Sequence, residues 1–138
     1  MVTYRSDEGV ALWMRQYWQE QGEDIDWPRP YICFGAEIDG ALGLGVIYER
    51  IASCDVNMHI VCTDRRAVTR SVLKAGFAFP FVNLGRRRVT GLVPASHMVS
   101  RDFCERLGFE LEGRRRNALK DDDELIYGML KEQCKWLK

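Results

Sequence analysis

Three arginines, Arg65, Arg66 and Arg70, crowd the run CTDRRAVTRSVLKAGFAFPF (62–81) at the point where a β-type pattern stops and a helical apolar period begins. A helix start already carries unpaired N–H groups and a partial positive charge, so guanidinium groups gathered there make structural sense chiefly when an anion binds. Main-chain N–H groups of Arg66, Ala67, Val68, Thr69, Arg70 and Ser71 would face it. Arg65, Arg66 and Arg70 would add charge-assisted hydrogen bonds worth about 1.5–3 kcal/mol each when desolvated. The small Ala67 suits a close approach of backbone to oxygen, whereas Val68 and Thr69 must point away. Arginines that merely solvate a loop are the competing reading, and the junction alone does not say which anion would bind.

The chain has 138 residues, enough for one domain, 1–138, with a real core. Lys+Arg and Asp+Glu each number 20, so no global field draws it to nucleic acid or a membrane, and anion binding must be local. The five cysteines show no CxxC or Cys/His ligand spacing, which argues against a disulfide framework and against a metal site. No apolar run reaches the ~20 residues of a membrane span, and the N-terminus lacks a signal-peptide pattern; a soluble cytoplasmic protein is expected. The arginine-rich runs at 85–89 and 113–123 read as strand ends balanced by acids rather than as a nucleic-acid surface.

The elements that must position the arginine junction follow from periodicity. Val10, Trp13, Met14, Tyr17 and Trp18 recur at three and four, the stripe of an amphipathic helix opened by the acids of SDEG and ending near Gly22. Residues 23–30, with two prolines and clustered acids, form a loop. YICFGAEI and ALGLGVIYERI flank Asp39-Gly40, a dipeptide suited to a tight hairpin. DVNMHIVC is a third strand with Val56, Met58, Ile60 and Cys62 on one face and Asp55, Asn57, His59 and Val61 on the other. A helix runs from about Val68 with Val72, Ala75, Gly76 and Phe79 on one side, stopped or kinked at Pro80. RRVTGLV reads as a strand and HMVSRDFCERLGF as a helix closed by Gly108. ELEGRRR and ELIYGMLK form a last antiparallel pair joined across NALKDDD. The strand, helix, strand run from 55 to 93 implies a right-handed parallel crossover inside an otherwise antiparallel sheet.

This order and three stretches resemble the GNAT superfamily of CoA-dependent N-acetyltransferases. The strand, arginine loop and helix of 56–79 stand where that family has its Q/R-x-x-G-x-G/A pyrophosphate loop, with Ala67 and Thr69 at the aligned glycines. SHMVSRDFCERLGFELEG is similar to the family's Asn-x-x-Ser-x-x-x-Tyr-x-x-x-Gly-Phe signature, with His97 for Asn, Ser100 in place and Cys104 for Tyr. The ending DDELIYGMLKEQCKWL is similar to the ribosomal-protein acetyltransferase branch, and the RRA-x-TR loop resembles small phage-type members.

The resemblance implies an α/β (α+β) fold: a mixed, mostly antiparallel sheet with helices on both faces and a V-shaped splay between the central parallel strands. It implies acetyl-CoA as cosubstrate, no metal, and direct transfer to a primary amine acceptor: a protein N-terminus, a lysine or a small amine. The acid-rich GEDIDW weakly favours a cationic one. The loop residues 65–71 would take the pyrophosphate, main-chain groups of Ile60, Val61 and Cys62 would pair with the pantetheine arm, and His97, Ser100 and Arg101 would lie near the cofactor. The amine must lose a proton and the leaving thiolate must gain one. His59 is one candidate base because an imidazole exchanges protons near neutrality; Asp55 and Glu37 are rivals acting through water. Cys104 is a candidate acid, or simply packing. Trp13, Tyr17, Trp18 and Trp27 wall an acceptor pocket or pack a core. A GNAT-shaped binding or interaction module without catalysis is the alternative, and exposed strand edges allow a homodimer.

Overall fold

A computed structural model describes residues 2–138. The elements run β1 (Val2–Arg5), α1 (Gly9–Glu20), β2 (Tyr31–Ile38), β3 (Ala41–Glu49), β4 (Asp55–Cys62), α2 (Arg70–Ala78), β5 (Arg88–Pro94), α3 (Met98–Leu107), β6 (Glu110–Leu119) and β7 (Asp122–Leu130). They build one seven-stranded sheet in the order β1-β2-β3-β4-β5-β7-β6. Every neighbouring pair is antiparallel except β4 and β5, which the α2 crossover makes parallel. This is the mixed α/β architecture expected from the sequence, with one strand added at the edge. β1 pairs Val2–Arg5 with Gly35–Ile38, a pairing that its mostly polar residues did not advertise.

Alternation along the central strands sends side chains into two cores. Leu44, Val46, Tyr48, Val56 and Met58 meet Val72 and Phe77 of α2 and Leu107 of α3 on one face. Ile47 and Val61 meet Val10, Met14 and Trp18 of α1 on the other. The close approach of α1 is made by Gly45, where an added Cβ would come within 2.8 Å of the Met14 side chain. The hairpin turns through Asp39 (φ 54°) and Gly40 (φ 81°), the left-handed pair that a tight turn of this hand requires.

Two local expectations are corrected. α1 has no acid within its first turn: Asp7 and Glu8 precede it, and Asp7 Oδ1 accepts the Gly9 N–H at 2.8 Å. The last hairpin is tighter than expected, because NALKDDD is mostly strand and turns only around Asp121 (φ 58°). The α-helical part of the second helix ends at Ala78, just before Pro80, and the distortion expected at that proline takes a particular form. Phe79–Asn83 continue it as a wider π turn, with the Leu84 N–H donating to the Phe79 carbonyl at 2.9 Å. Proline lacks the N–H that would return to the Gly76 carbonyl, and the buried Tyr48 hydroxyl donates there instead at 2.6 Å.

The substitution Tyr48→Phe should therefore destabilise the fold by about 1–3 kcal/mol, the cost of stranding a buried carbonyl. In a Pro80→Ala background, where an N–H becomes available, the same change should cost less. A double-mutant cycle in urea tests this, and equal costs in both backgrounds would refute the substitution of one donor for the other.

Candidate active site

The crossover that makes β4 and β5 parallel also lets them part. Pairing covers only Asp55 with Arg88, Val56 with Val89 and Asn57 with Thr90. Beyond that, β4 continues to Cys62 and β5 to Pro94 without a partner on the facing side. The gap holds two cavities that share Ile60, Ser100 and Phe103 as a neck. One is a cleft of about 540 Å³ reaching Cys62, Arg65, Val68, Arg106 and Trp136. The other is a chamber of about 220 Å³ on the α1 side, walled by Trp18, Trp27, Leu92 and Phe109.

The chamber's lining includes the carboxylates of Asp24, Asp26, Glu49 and Glu124, the imidazole of His59, and no lysine or arginine. Register explains the central pair. Glu49 lies directly across from Asn57 and diagonally from His59, so one carboxylate oxygen, Oε2, receives the Asn57 Nδ2–H at 2.9 Å and meets His59 Nε2 at 2.7 Å. Glu49 is 3% exposed. Burial pushes its carboxyl up, but the hydrogen bonds from His59 and Asn57 outweigh that and hold it below the ordinary range. The Trp27 ring tilts against His59 with centroids 5.8 Å apart. Glu49 escaped the sequence reading because it looked like a polar strand end. Its signal was parity: it continues the Gly45, Ile47 side of β3, the side that His59 shares.

Of the proposed bases, only His59 lines the chamber. Asp55 sits at the closed end of β4, where its oxygens accept from the Thr90 hydroxyl at 3.0 Å and pair with Arg88 and Arg50. Glu37 pairs with Arg5 on the β1 side of the sheet. Cys104 lines the chamber, but burial pushes its thiol up to about 12, which makes it a poor proton donor to a thiolate.

The arginine junction is arranged differently from the expectation. Thr63 and Asp64 N–H groups both bond the Gly43 carbonyl, and the bare Gly43 leaves room for Ala67, which is fully buried. Asp64 then caps a single 3₁₀ turn, Arg65–Ala67, by accepting the Arg66 N–H at 3.0 Å. The N–H groups of Ala67 and Val68 bond within the same turn. The Arg66 side chain is held by Asp64 and Asp39, and Arg70 donates to the Lys138 carbonyl at 3.0 Å. What remains open is the start of α2. The Thr69 hydroxyl accepts from the Val72 N–H, while the N–H groups of Thr69, Arg70 and Ser71 meet no acceptor among the described residues. Arg65 has no acidic partner among them either, and its side chain borders the cleft.

Ile60, Val61, Cys62, Val68 and Ser100 border the cleft as well. His97 and Arg101 do not: His97 caps α3 by accepting the Ser100 N–H at 3.2 Å, and Arg101 donates to the Ala95 carbonyl at 3.1 Å.

No protein-family model matches the chain, and no curated protein does. The fold has many counterparts among solved structures. Spermidine N-acetyltransferase SpeG from Vibrio cholerae, as its F149A mutant, superposes with a TM-score of 0.75 at 14% identity over 99% of this chain and 98% of its own. The ribosomal-protein-S5-alanine acetyltransferase from Vibrio fischeri gives 0.72 at 12% identity over 97% and 95%. A structure described as a probable acetyltransferase gives 0.69 at 19% over 96% and 94%. The fold is thus the one shared by these acetyltransferases, the GNAT architecture that the sequence resembles.

A carboxyl that ionises more readily when folded stabilises the protein above the ordinary glutamate value of 4.5, and that contribution is lost as pH falls through the lower folded value. The stability advantage of wild type over Glu49→Gln should therefore shrink as the pH falls below 4.5. Thermal unfolding across that window measures it, and a pH-independent difference would contradict the assignment.

Proposed function

We propose that this chain is an N-acetyltransferase that moves an acetyl group from acetyl-CoA directly to a primary amine. The parting of β4 and β5 carries the reading, because it frees a strand edge at the neck between an apolar cleft and an acidic chamber. Support also comes from fold neighbours whose names describe acetyltransferases acting on spermidine and on an alanine of ribosomal protein S5.

The residues fit the cosubstrate. The free edge of β4 from Met58 to Cys62 takes the amides of the pantetheine arm as an added strand would. The open N–H groups of Thr69, Arg70 and Ser71, with the Arg65 guanidinium, take the diphosphate at the start of α2. This moves the anion site a few residues along from the main-chain groups of Arg66, Ala67 and Val68. Acetyl-CoA supplies an activated thioester at the neck.

His59 accepts the proton of the attacking amine. Glu49, held ionised, takes the His59 Nε2–H, which leaves Nδ1 with its lone pair free and fixes the ring's orientation. Asn57 anchors the same carboxylate oxygen. Asp24 and Asp26 share Arg15 at 3.6 Å each and Glu124 pairs with Arg115, so the pull on a cationic amine comes from the loosely held Asp24 and Asp26, and the mostly apolar, aromatic walls favour a small one. Asp55 and Glu37 line neither cavity and are engaged elsewhere, Asp55 with Thr90, Arg88 and Arg50 and Glu37 with Arg5. A second reading, a CoA-binding module without turnover, draws on the internal pairing of Arg66 and on the reluctant Cys104 thiol.

Calorimetric titration with acetyl-CoA followed by thiol release against a panel of amines separates the two. Turnover with a cationic amine is expected; binding without release would favour the second reading, and no binding would end both. His59→Gln should lower kcat about 100-fold or more. Arg65→Ala should weaken acetyl-CoA binding about tenfold, whereas Arg66→Ala, already internally paired, should change it less than about threefold. The reverse order would misplace the phosphate site.

A further inference from the structure

The reaction proposed above needs a proton for the departing sulfur, and neither His59 nor Cys104 supplies it. A different pair stands beside the cleft, with Tyr17 in its wall and His97 behind it. Tyr17 and Trp18 are consecutive on α1, yet Tyr17 lines the cleft while Trp18 lines the chamber. The His97 ring packs edge-on against both, at 6.1 Å from the Tyr17 ring and 4.9 Å from the Trp18 ring. α1 belongs to the β4 side of the gap and His97 to the β5 side, so the Tyr17 to His97 contact spans the mouth of the V.

The protons of this pair can be placed. The Ser100 N–H donates to His97 Nδ1 at 3.2 Å, so that nitrogen carries its lone pair. Burial holds the His97 ring below its ordinary value, so the ring is neutral and its single proton sits on Nε2. Nε2 lies 3.3 Å from the Tyr17 hydroxyl oxygen, and its N–H therefore donates to it. The Tyr17 O–H cannot then point at His97. It has no other protein acceptor among the described residues, and the wall it occupies faces the cleft.

Resting on the acetyltransferase reading, we propose that Tyr17 is the catalytic acid that protonates the leaving thiolate, with His97 as its positioning residue. The amine nitrogen bonds to the acyl carbon, the carbon–sulfur bond breaks, and its electron pair takes the Tyr17 hydroxyl proton to give the free thiol. The proton lost by nitrogen goes to His59. Phenolate and imidazolium are left, and both return to neutral through solvent, so the net transfer is one proton from nitrogen to sulfur. Burial and the neighbouring Cys62 push the Tyr17 hydroxyl up, which works against donation. The His97 N–H then offsets the cost of the phenolate, a donor that Cys104 lacks. The other charged or ionisable groups facing this space are Cys62 on β4, Arg65 on the loop, and Asp102 and Arg106 on α3.

Tyr17→Phe keeps the ring and removes the proton. With folding checked by circular dichroism, it should lower kcat about 100-fold while KM for acetyl-CoA stays within about twofold, and the high-pH fall of kcat should disappear. His97→Asn keeps a capping side chain for α3 but removes the Nε2–H. It should lower kcat about tenfold and move the high-pH limb upward, which a purely structural role would not do. Wild-type turnover with Tyr17→Phe within about threefold of it, or a Tyr17→Phe loss confined to acetyl-CoA affinity, would overturn this inference alone. A wild-type protein that binds acetyl-CoA but releases no thiol with any amine would overturn the reading beneath it.

Discussion

A parallel strand pair held together at three positions and then released is the constraint on which the rest of the molecule depends. Main-chain N–H and C=O groups inside a sheet must find partners, and β4 meets that requirement on one side through β3 along Leu44–Glu49. On the other side, past Asn57, it does not. A free edge in the middle of a sheet is otherwise a liability, and here it lies between two walled cavities rather than in open solvent. The site is a consequence of that gap: the cleft, the chamber and the neck are the volumes it leaves.

The two sides of the gap are tied at opposite ends by different chemistry. At the closed end, Thr90 donates to Asp55 while Arg88 and Arg50 pair with the same carboxylate, which fixes where β4 and β5 begin to diverge. At the open end, the side-chain link across the gap among the described residues is one hydrogen bond between Tyr17 and His97. Between them sits Glu49, a buried carboxylate that hydrogen bonds from His59 and Asn57 do most to hold below its ordinary range against the upward push of burial. A buried acid satisfied by two such neighbours is costly to leave half-paired, which ties the orientation of His59 to the register of β3 against β4.

Much of this was legible in the sequence, and the reasons are local. The alternation of DVNMHIVC assigned both faces of β4 correctly, and Asp39-Gly40 placed the β2–β3 turn. Gly108 closes α3 at φ 112°, as its position in LGF suggested. The start of α2 was read two residues early because Asp64 captures the Arg66 N–H and side chain and spends Arg65–Ala67 on a separate turn. Pro80 marked where the α-helix gives way, but not that a hydroxyl from β3 would replace its missing donor. The side-chain pairs at the gap were the least legible. Glu49 and His59 are ten residues apart and Tyr17 and His97 eighty, and no periodicity couples residues across a sheet register or a gap.

Main-chain groups of β4 beyond Asn57 lack a partner strand on the gap side, and in the proposed function they take the cosubstrate's arm. Amide hydrogen exchange at Met58–Cys62, measured with and without acetyl-CoA, is the direct test. Those β4 amides facing the gap should exchange faster than Val56 and Asn57 in the free protein and slow markedly on binding. Slow exchange in the free protein, or binding that leaves these amides untouched, would contradict this account.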